Sequence, residues 1–183
     1  MPVTPSRSPK EPLAIIGIGC RLPGNSDSPE SFWKMLVSGT DAIREIPSDR
    51  WNIKTFYDPK PGTPGKSSTK WGAFVEGIDK FDAEFFNISP READWMDPQQ
   101  RLLLEVCARA LEDGGQDLNA LRGSPTGVFV GISTIDYMLL NSSSSERTNA
   151  DIYSATGQTI SIAANRVSYV FDLRGPSVAM DTA

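Results

Sequence analysis

The sequence predicts an α/β fold, a parallel-rich sheet with flanking helices, on three observations. Leu13-Ala14-Ile15-Ile16-Gly17-Ile18-Gly19 and Thr126 to Ile132 are continuous apolar runs with β-branched residues, the pattern of buried parallel strands. Between them lies a long stretch whose apolar residues recur at helical spacing, and a third short run, Ser177 to Met180, follows a further helical pattern. Strands alternating with helices imply mostly parallel pairing in a layered fold.

Each element has its own local signal. The Leu13–Gly19 run opens into the turn-rich Leu22-Pro23-Gly24-Asn25-Ser26-Asp27, after which Ser28 reads as an N-cap with Pro29 at the first helical position. Phe32, Trp33, Leu36 and Val37 fall on one face of that helix and Gly39 stops it. Asp49 to Trp71 carries Pro59, Pro61, Gly62, Pro64 and Gly65 without a helical period, so a long surface loop is expected. Gly72 to Ile78 alternates weakly and reads as a short strand. Ser89-Pro90-Arg91-Glu92 has the form of a capping box, and Asp97-Pro98-Gln99-Gln100 repeats the device. Leu103, Val106, Cys107, Ala110 and Leu111 then mark the apolar face of a helix that Gly114-Gly115 ends. Asn141 to Asn149, with four serines in a row, reads as a loop, and Ile152 to Tyr169 as one helix. Residues 1–11 are expected to be a flexible tail, and no internal repeat is present.

Composition narrows the function classes. Hydrophobic residues at 39%, with 15 Gly besides, are enough for a packed core. The net charge of -5 and the lack of a dense Lys/Arg run argue against a nucleic-acid partner. No apolar run is long enough to span a bilayer, so no membrane partner is expected. Two cysteines are too few for a disulfide framework, and a reducing, cytoplasmic setting is the default. With no histidine in 183 residues, neither a Ser-His-Asp or Cys-His arrangement nor a His-bearing metal site is possible within this chain. No metal or bound cofactor is expected.

Each remaining candidate has a plainer role beside the chemical one. Gly17-Ile18-Gly19-Cys20-Arg21-Leu22 follows a strand as a dinucleotide fingerprint does, yet Leu22 stands at its third glycine and Pro23 blocks helix entry; structural glycines are the better reading. Cys107 falls on an apolar helix face and reads as a core thiol, while Cys20 has Arg21 beside it but no histidine to act as base. Asp79, Asp82 and Glu84, or Asp94 and Asp97, have the spacing for an acid–base pair, but acidic residues near helix starts more often cap them.

Six segments in order, taken together, are highly specific. They are Pro12 to Gly24, Ile46-Pro47 with Asp49-Arg50-Trp51, Phe81 to Ile88, Ser89 to Leu104, Gly127 to Gly131, and Ala155 to Ala183. Over residues 12–183 the chain resembles the N-terminal half of a β-ketoacyl synthase (ketosynthase) domain of a type I polyketide synthase. That resemblance implies the N-terminal half of a thiolase-like fold. It also implies a parent activity, the decarboxylative Claisen condensation of acyl and malonyl thioesters, with substrates on the phosphopantetheine arm of an acyl carrier protein.

In that family a cysteine and two histidines carry the chemistry. None has a counterpart here, the cysteine's place falling just after Ala183, so no catalytic residue is assigned and the chain is expected to be inactive alone. The resemblance places Ile132, Thr156 and Gln158 beside the acyl chamber, ordinary helix–sheet packing being the alternative, and marks Asn165 and Arg166 as buried structural polar groups. Expected partners are an acyl carrier protein, the remaining synthase half, or a second copy in a homodimer. Two other functions stay open: a non-catalytic interaction module pairing with a full-length synthase or carrier protein, and a repurposed enzyme using the acyl pocket without cysteine chemistry.

Overall fold

A computed structural model describes residues 11–143 and 152–182. The helices are α1 (Pro29–Ser38), α2 (Ile53–Phe56), α3 (Pro90–Trp95), α4 (Pro98–Asp113), α5 (Leu118–Leu121), α6 (Asp136–Ser143), α7 (Ile152–Gln158) and α8 (Ile162–Val170). The strands are β1 (Ile43–Glu45), β2 (Trp71–Ala73), β3 (Val128–Gly131) and β4 (Ser177–Met180). β3 and β4 pair in parallel, Val128 opposite Ser177 through Gly131 opposite Met180. β1 and β2 form a separate antiparallel pair, Ile43 opposite Ala73.

The helix starts follow the local chemistry of their sequences. Ser28 caps α1 by accepting from Ser31 N, and Gly39 closes it in the left-handed region at φ 65°. Ser89 accepts from Glu92 N at the head of α3, and Asp97 accepts from Gln99 N at the head of α4. Each cap leaves Pro at the first helical position, where its missing N–H costs nothing.

The core lies between α4, α8 and the inner face of the parallel pair. Met96, Leu104 and Ala164 are fully buried, with Phe86, Ile88, Ala108, Val128, Val130, Val167, Phe171 and Leu173 packed around them. Along α4 the buried positions are Gln100, Leu104 and Ala108, four residues apart, with Leu103 and Cys107 packed against the core edge. The helix is therefore rolled slightly from the stripe its sequence suggests. Val106 and Ala110 face elsewhere: a Cβ built on Gly17 would lie 2.7 Å from Gly114 N, and one on Gly19 2.9 Å from Ala110 N. The two glycines let the N-terminal segment lie directly on the helix backbone.

Several expectations need correction. Among the described residues nothing pairs with Leu13–Gly19, so it is no strand there. Its backbone is held instead by α4, with Ile18 N donating to Asp113 Oδ2 at 2.8 Å, while Leu13 is 98% and Ile15 86% exposed. β3 is buried on one face only, Val128 and Val130 inward and Phe129 outward. The weak alternation of Gly72–Ile78 is realised earlier, in β2. Ile152–Tyr169 is broken into α7 and α8 by a turn at residues 159–161, where Thr159 Oγ1 donates to Ala155 O at 2.7 Å and competes with the helical ladder. The 49–71 loop contains the single turn α2, capped by Asn52. α6 runs into the serine stretch as far as Ser143, and the rest of that loop, like residues 1–10 of the expected tail, falls outside the described residues. Asn165 is exposed, because α8 turns Ala163, Ala164, Arg166 and Val167 inward and Asn165 to the other side.

Gly19→Ala should therefore lower stability by about 1–3 kcal/mol, since the added methyl meets backbone that cannot yield. Gly131→Ala, with no atom within 4 Å of the new methyl, should be neutral or stabilising. Urea midpoints of the two variants at constant m-value check the contrast.

Candidate functional site

The residues assigned from sequence stand on two elements. Ile132 follows β3 and extends its ladder, donating its N–H to Met180 O at 3.0 Å, with its side chain partly buried against the core. Thr156 and Gln158 are on α7, two residues apart and so on different faces of the helix. No hydrogen bond joins Ile132 to either. None of the three lines the clefts of about 330, 870 and 490 Å³ found elsewhere on the surface.

Buried polar chemistry fixes α7 in place. Gly157 is buried with its backbone on the α3–α4 junction: its carbonyl accepts from Asp97 N at 2.8 Å, and a Cβ there would lie 2.7 Å from Trp95 C. Thr156 O accepts from Gln100 Nε2 at 3.2 Å and from Arg166 Nη2 at 3.5 Å. Arg166, 8% exposed, donates Nε to Gln100 Oε1 at 2.7 Å and Nη1 to Glu92 Oε1 in a short ion pair. One guanidinium thus ties α3, α4, α7 and α8 together. A planar fork with five donors suits this role where a Lys ammonium does not.

Arg166 is legible in the sequence as a structural group; Glu92, Gln100 and Gly157 are not. Gln100 offers a signal, a polar residue four before Leu104 and eight before Ala108 in the buried row of α4. The Glu92 pairing, between partners 74 positions apart, offers none.

Gln158 differs from its neighbours. Its Nε2 is buried and has no hydrogen-bond partner among the described residues. Such a donor costs about 1–3 kcal/mol unless something accepts from it.

The thiols and carboxylates take the plainer roles. Burial pushes the Cys107 thiol up from its ordinary value, disfavouring the thiolate that a nucleophile needs. Asp97 caps α4, and Asp82 Oδ1 accepts from Phe85 N at 3.0 Å in a local turn. Arg21, next to Cys20, is held by Glu105 at 2.5 Å and by the carbonyls of Glu76 and Gly77. The glycines of the Gly17–Leu22 stretch serve helix contact. No helix among the described residues is long and apolar enough to cross a membrane.

Residues 10–183 match the family described as "Beta-ketoacyl synthase, N-terminal domain". One subunit of the phenolphthiocerol/phthiocerol polyketide synthase of Mycobacterium tuberculosis is 50% identical over 173 residues, covering 94% of this chain and 9% of the relative. Another subunit of the same synthase is 52% identical over 173 residues, 94% of this chain and 11% of the relative. The chain thus spans about a tenth of the length of these relatives. Among solved structures, an oxazolomycin ketosynthase domain of Streptomyces albus JA3453 superposes with a TM-score of 0.81 at 40% identity, over 92% of this chain and 29% of that one. A ketosynthase from module 6 of the bacillaene synthase of Bacillus subtilis 168 gives 0.74 at 33% identity, over 92% and 26%.

Two outcomes follow from the geometry. Arg166→Met should cost about 3–5 kcal/mol by leaving Glu92 and Gln100 partly buried without their partner, and Arg166→Met with Glu92→Leu should recover much of it; thermal unfolding of the three proteins tests this. With its folded value raised, the Cys107 thiol gives up its proton less readily folded than unfolded. Stability should hold below the unfolded value of about 8.5 and fall as pH rises from there through the folded value. Cys107→Ala should remove that alkaline slope, as read by urea unfolding across the range.

Proposed function

Because the chain belongs to the β-ketoacyl synthase family and carries the N-terminal half of its thiolase-like fold, we propose that it serves the decarboxylative Claisen condensation of acyl and malonyl thioesters in polyketide assembly. In that work these residues supply a wall of the acyl site and not its reagents. The observation that carries this is Gln158: a buried amide donor without an acceptor among the described residues, at the end of a helix that Arg166 and Gly157 lock in place. Rigid support around an unmet polar group suits a site awaiting a ligand, since a donor positioned in advance costs nothing to reorganise on binding. Ile132 and Thr156 join this reading by resemblance alone, Thr156 facing another side of α7 from Gln158. The reagents are lacking in these 183 residues, which hold no histidine and whose Cys107 thiol is pushed up from its ordinary value by partial burial.

The substrates arrive on the phosphopantetheine arm of an acyl carrier protein in this reading, and no metal or other cofactor takes part. The relatives are named as subunits of polyketide synthases, which supports work inside a larger assembly; the reducing, cytoplasmic setting belongs to the proposal and follows from the two cysteines. A second reading, an interaction module that pairs with a full synthase, a carrier protein or its own copy, draws on the exposed apolar row Leu13, Ile15, Ile16 and Ile18.

Purified chain given an acyl-carrier thioester and malonyl-carrier should form no new carbon–carbon bond. Covalent acylation of Cys20 or Cys107 followed by elongation would overturn the proposal. Gln158→Leu should raise the stability of the chain by about 1–3 kcal/mol, because it removes an unmet donor. In a condensing polypeptide that contains these residues, the same substitution should lower acyl loading; loading unchanged would remove Gln158 from the site.

A further inference from the structure

On the far edge of the core a second cleft, of about 490 Å³, lies between the Phe85–Ile88 turn, α5 and the C-terminal end of α8. Its size is in the range of small-molecule sites. Four aromatic residues line it, Phe85, Phe86, Tyr169 and Phe171, beside the polar side chains of Asn87, Glu92, Arg122 and Arg166. Phe86 and Phe171 are buried and edge-to-face, ring centroids 6.3 Å apart, and Phe85 meets Phe86 edge-on at 4.8 Å. Phe85 and Tyr169 keep most of their surface free, 57% and 87% exposed.

Two guanidinium groups line the same cleft, and they are in different states. Arg166 is engaged by Glu92 and Gln100. Arg122 is exposed, and its side chain has no hydrogen bond or ion pair among the described residues. The nearby acids are committed elsewhere. Glu92, the carboxylate in the lining, belongs to Arg166, and Asp172, whose carbonyl accepts from Gly123 N beside Arg122, holds its carboxylate to Arg174 at 2.6 Å. In a chain of net charge -5, this leaves an uncompensated cation at the mouth of an aromatic cleft.

We propose that this cleft binds a small aromatic carboxylate. The flat ring lies among Phe85, Tyr169 and Phe171, where offset or edge-on contact with aromatic faces is favourable. The carboxylate takes two parallel N–H donors from Arg122, the geometry that makes a guanidinium–carboxylate pair strong and directional. A bare carboxylate lacks the ring contacts, and a neutral aromatic lacks the fork.

Isothermal titration of the full chain with 2-naphthoate, 2-naphthylmethanol and acetate tests both halves of the claim. One-to-one binding of 2-naphthoate is expected, at least about tenfold tighter than either comparator and weakened by added salt. Arg122→Gln should weaken naphthoate about tenfold while leaving naphthylmethanol unchanged, and Phe85→Ala should weaken both. Both positions are exposed, and far-ultraviolet circular dichroism establishes that the variants are folded; should one fail to fold, the other with the three-ligand comparison still decides. Naphthoate binding no tighter than naphthylmethanol, or unchanged by Arg122→Gln, overturns the proposal, as does no measurable heat with naphthoate. Because Gln158 plays no part in this cleft, Gln158→Leu should leave naphthoate binding intact whatever its effect on acyl loading.

Discussion

A guanidinium removed from water is the constraint on which the arrangement of helices rests. Taking Arg166 into the core costs several kcal/mol in lost hydration, and the cost is offset only where good partners surround it. Those partners come from three other helices: the carboxylate of Glu92, the amide oxygen of Gln100 and the carbonyl of Thr156. Each would be left short of a partner if its helix shifted by an ångström or two. Apolar contacts tolerate sliding, whereas a charged fork does not. The packing of α3, α4, α7 and α8 is therefore specified by polar geometry, with Met96, Leu104, Ala164 and Val167 filling the space around it.

α4 is the member that everything else uses. One row of its surface, Gln100, Leu104 and Ala108, faces the core. A second row, Val106 and Ala110, lies under Gly17 and Gly19 so closely that any side chain on those glycines would strike helix backbone. The segment is fastened at both ends of this contact, by Asp113 on Ile18 N and by Glu105 on Arg21. Its apolar side chains point away from the helix that holds its backbone, which is why a run that reads as strand core from sequence is so exposed. Hydrophobicity reports that these residues suit a buried strand; it holds no information about which neighbour supplies the ladder.

The division between what is legible in the sequence and what is hidden follows range. Caps are settled within four residues, so Ser28, Ser89, Asp97 and Gly39 are readable, and the structure has each in its place. β3 and β4 are readable because short β-branched runs flanked by Gly and Pro have few other uses. The turn between α7 and α8 is not, since Thr159 is a weak breaker whose effect depends on its side chain reaching Ala155 O. Asn165 and Arg166, neighbours on one helix, read alike and lie on opposite sides of the burial boundary; a turn of about 100° per residue separates them, and helix phase is fixed by tertiary contact. For the candidate site, the sequence marks Ile132, Thr156 and Gln158 by resemblance and marks Arg166 as structural. Glu92, Gln100 and Gly157, which hold the site's helix, act across long sequence separations, where no local rule operates.

Support and chemistry are separable in such a fold, and the network of Arg166, Glu92, Gln100 and Gly157 is support. Catalytic groups gain from rigid surroundings because a donor or wall held in position in advance has no ordering cost at the moment of reaction. A buried Gln158 Nε2 without a partner among the described residues is the opposite of what stability alone would select, since a leucine of similar volume would carry no donor to satisfy. The network that fixes α7 is thus holding in place an element that carries a locally unfavourable group. Strain of that kind persists where the surroundings over-determine it and where a ligand relieves it. The same reasoning separates Arg166 from Arg122: the first has a partner on each of its three nitrogens and serves the fold, and the second lines a cleft with its side chain unpartnered among the described residues, an arrangement that gives the fold little and a bound anion a great deal.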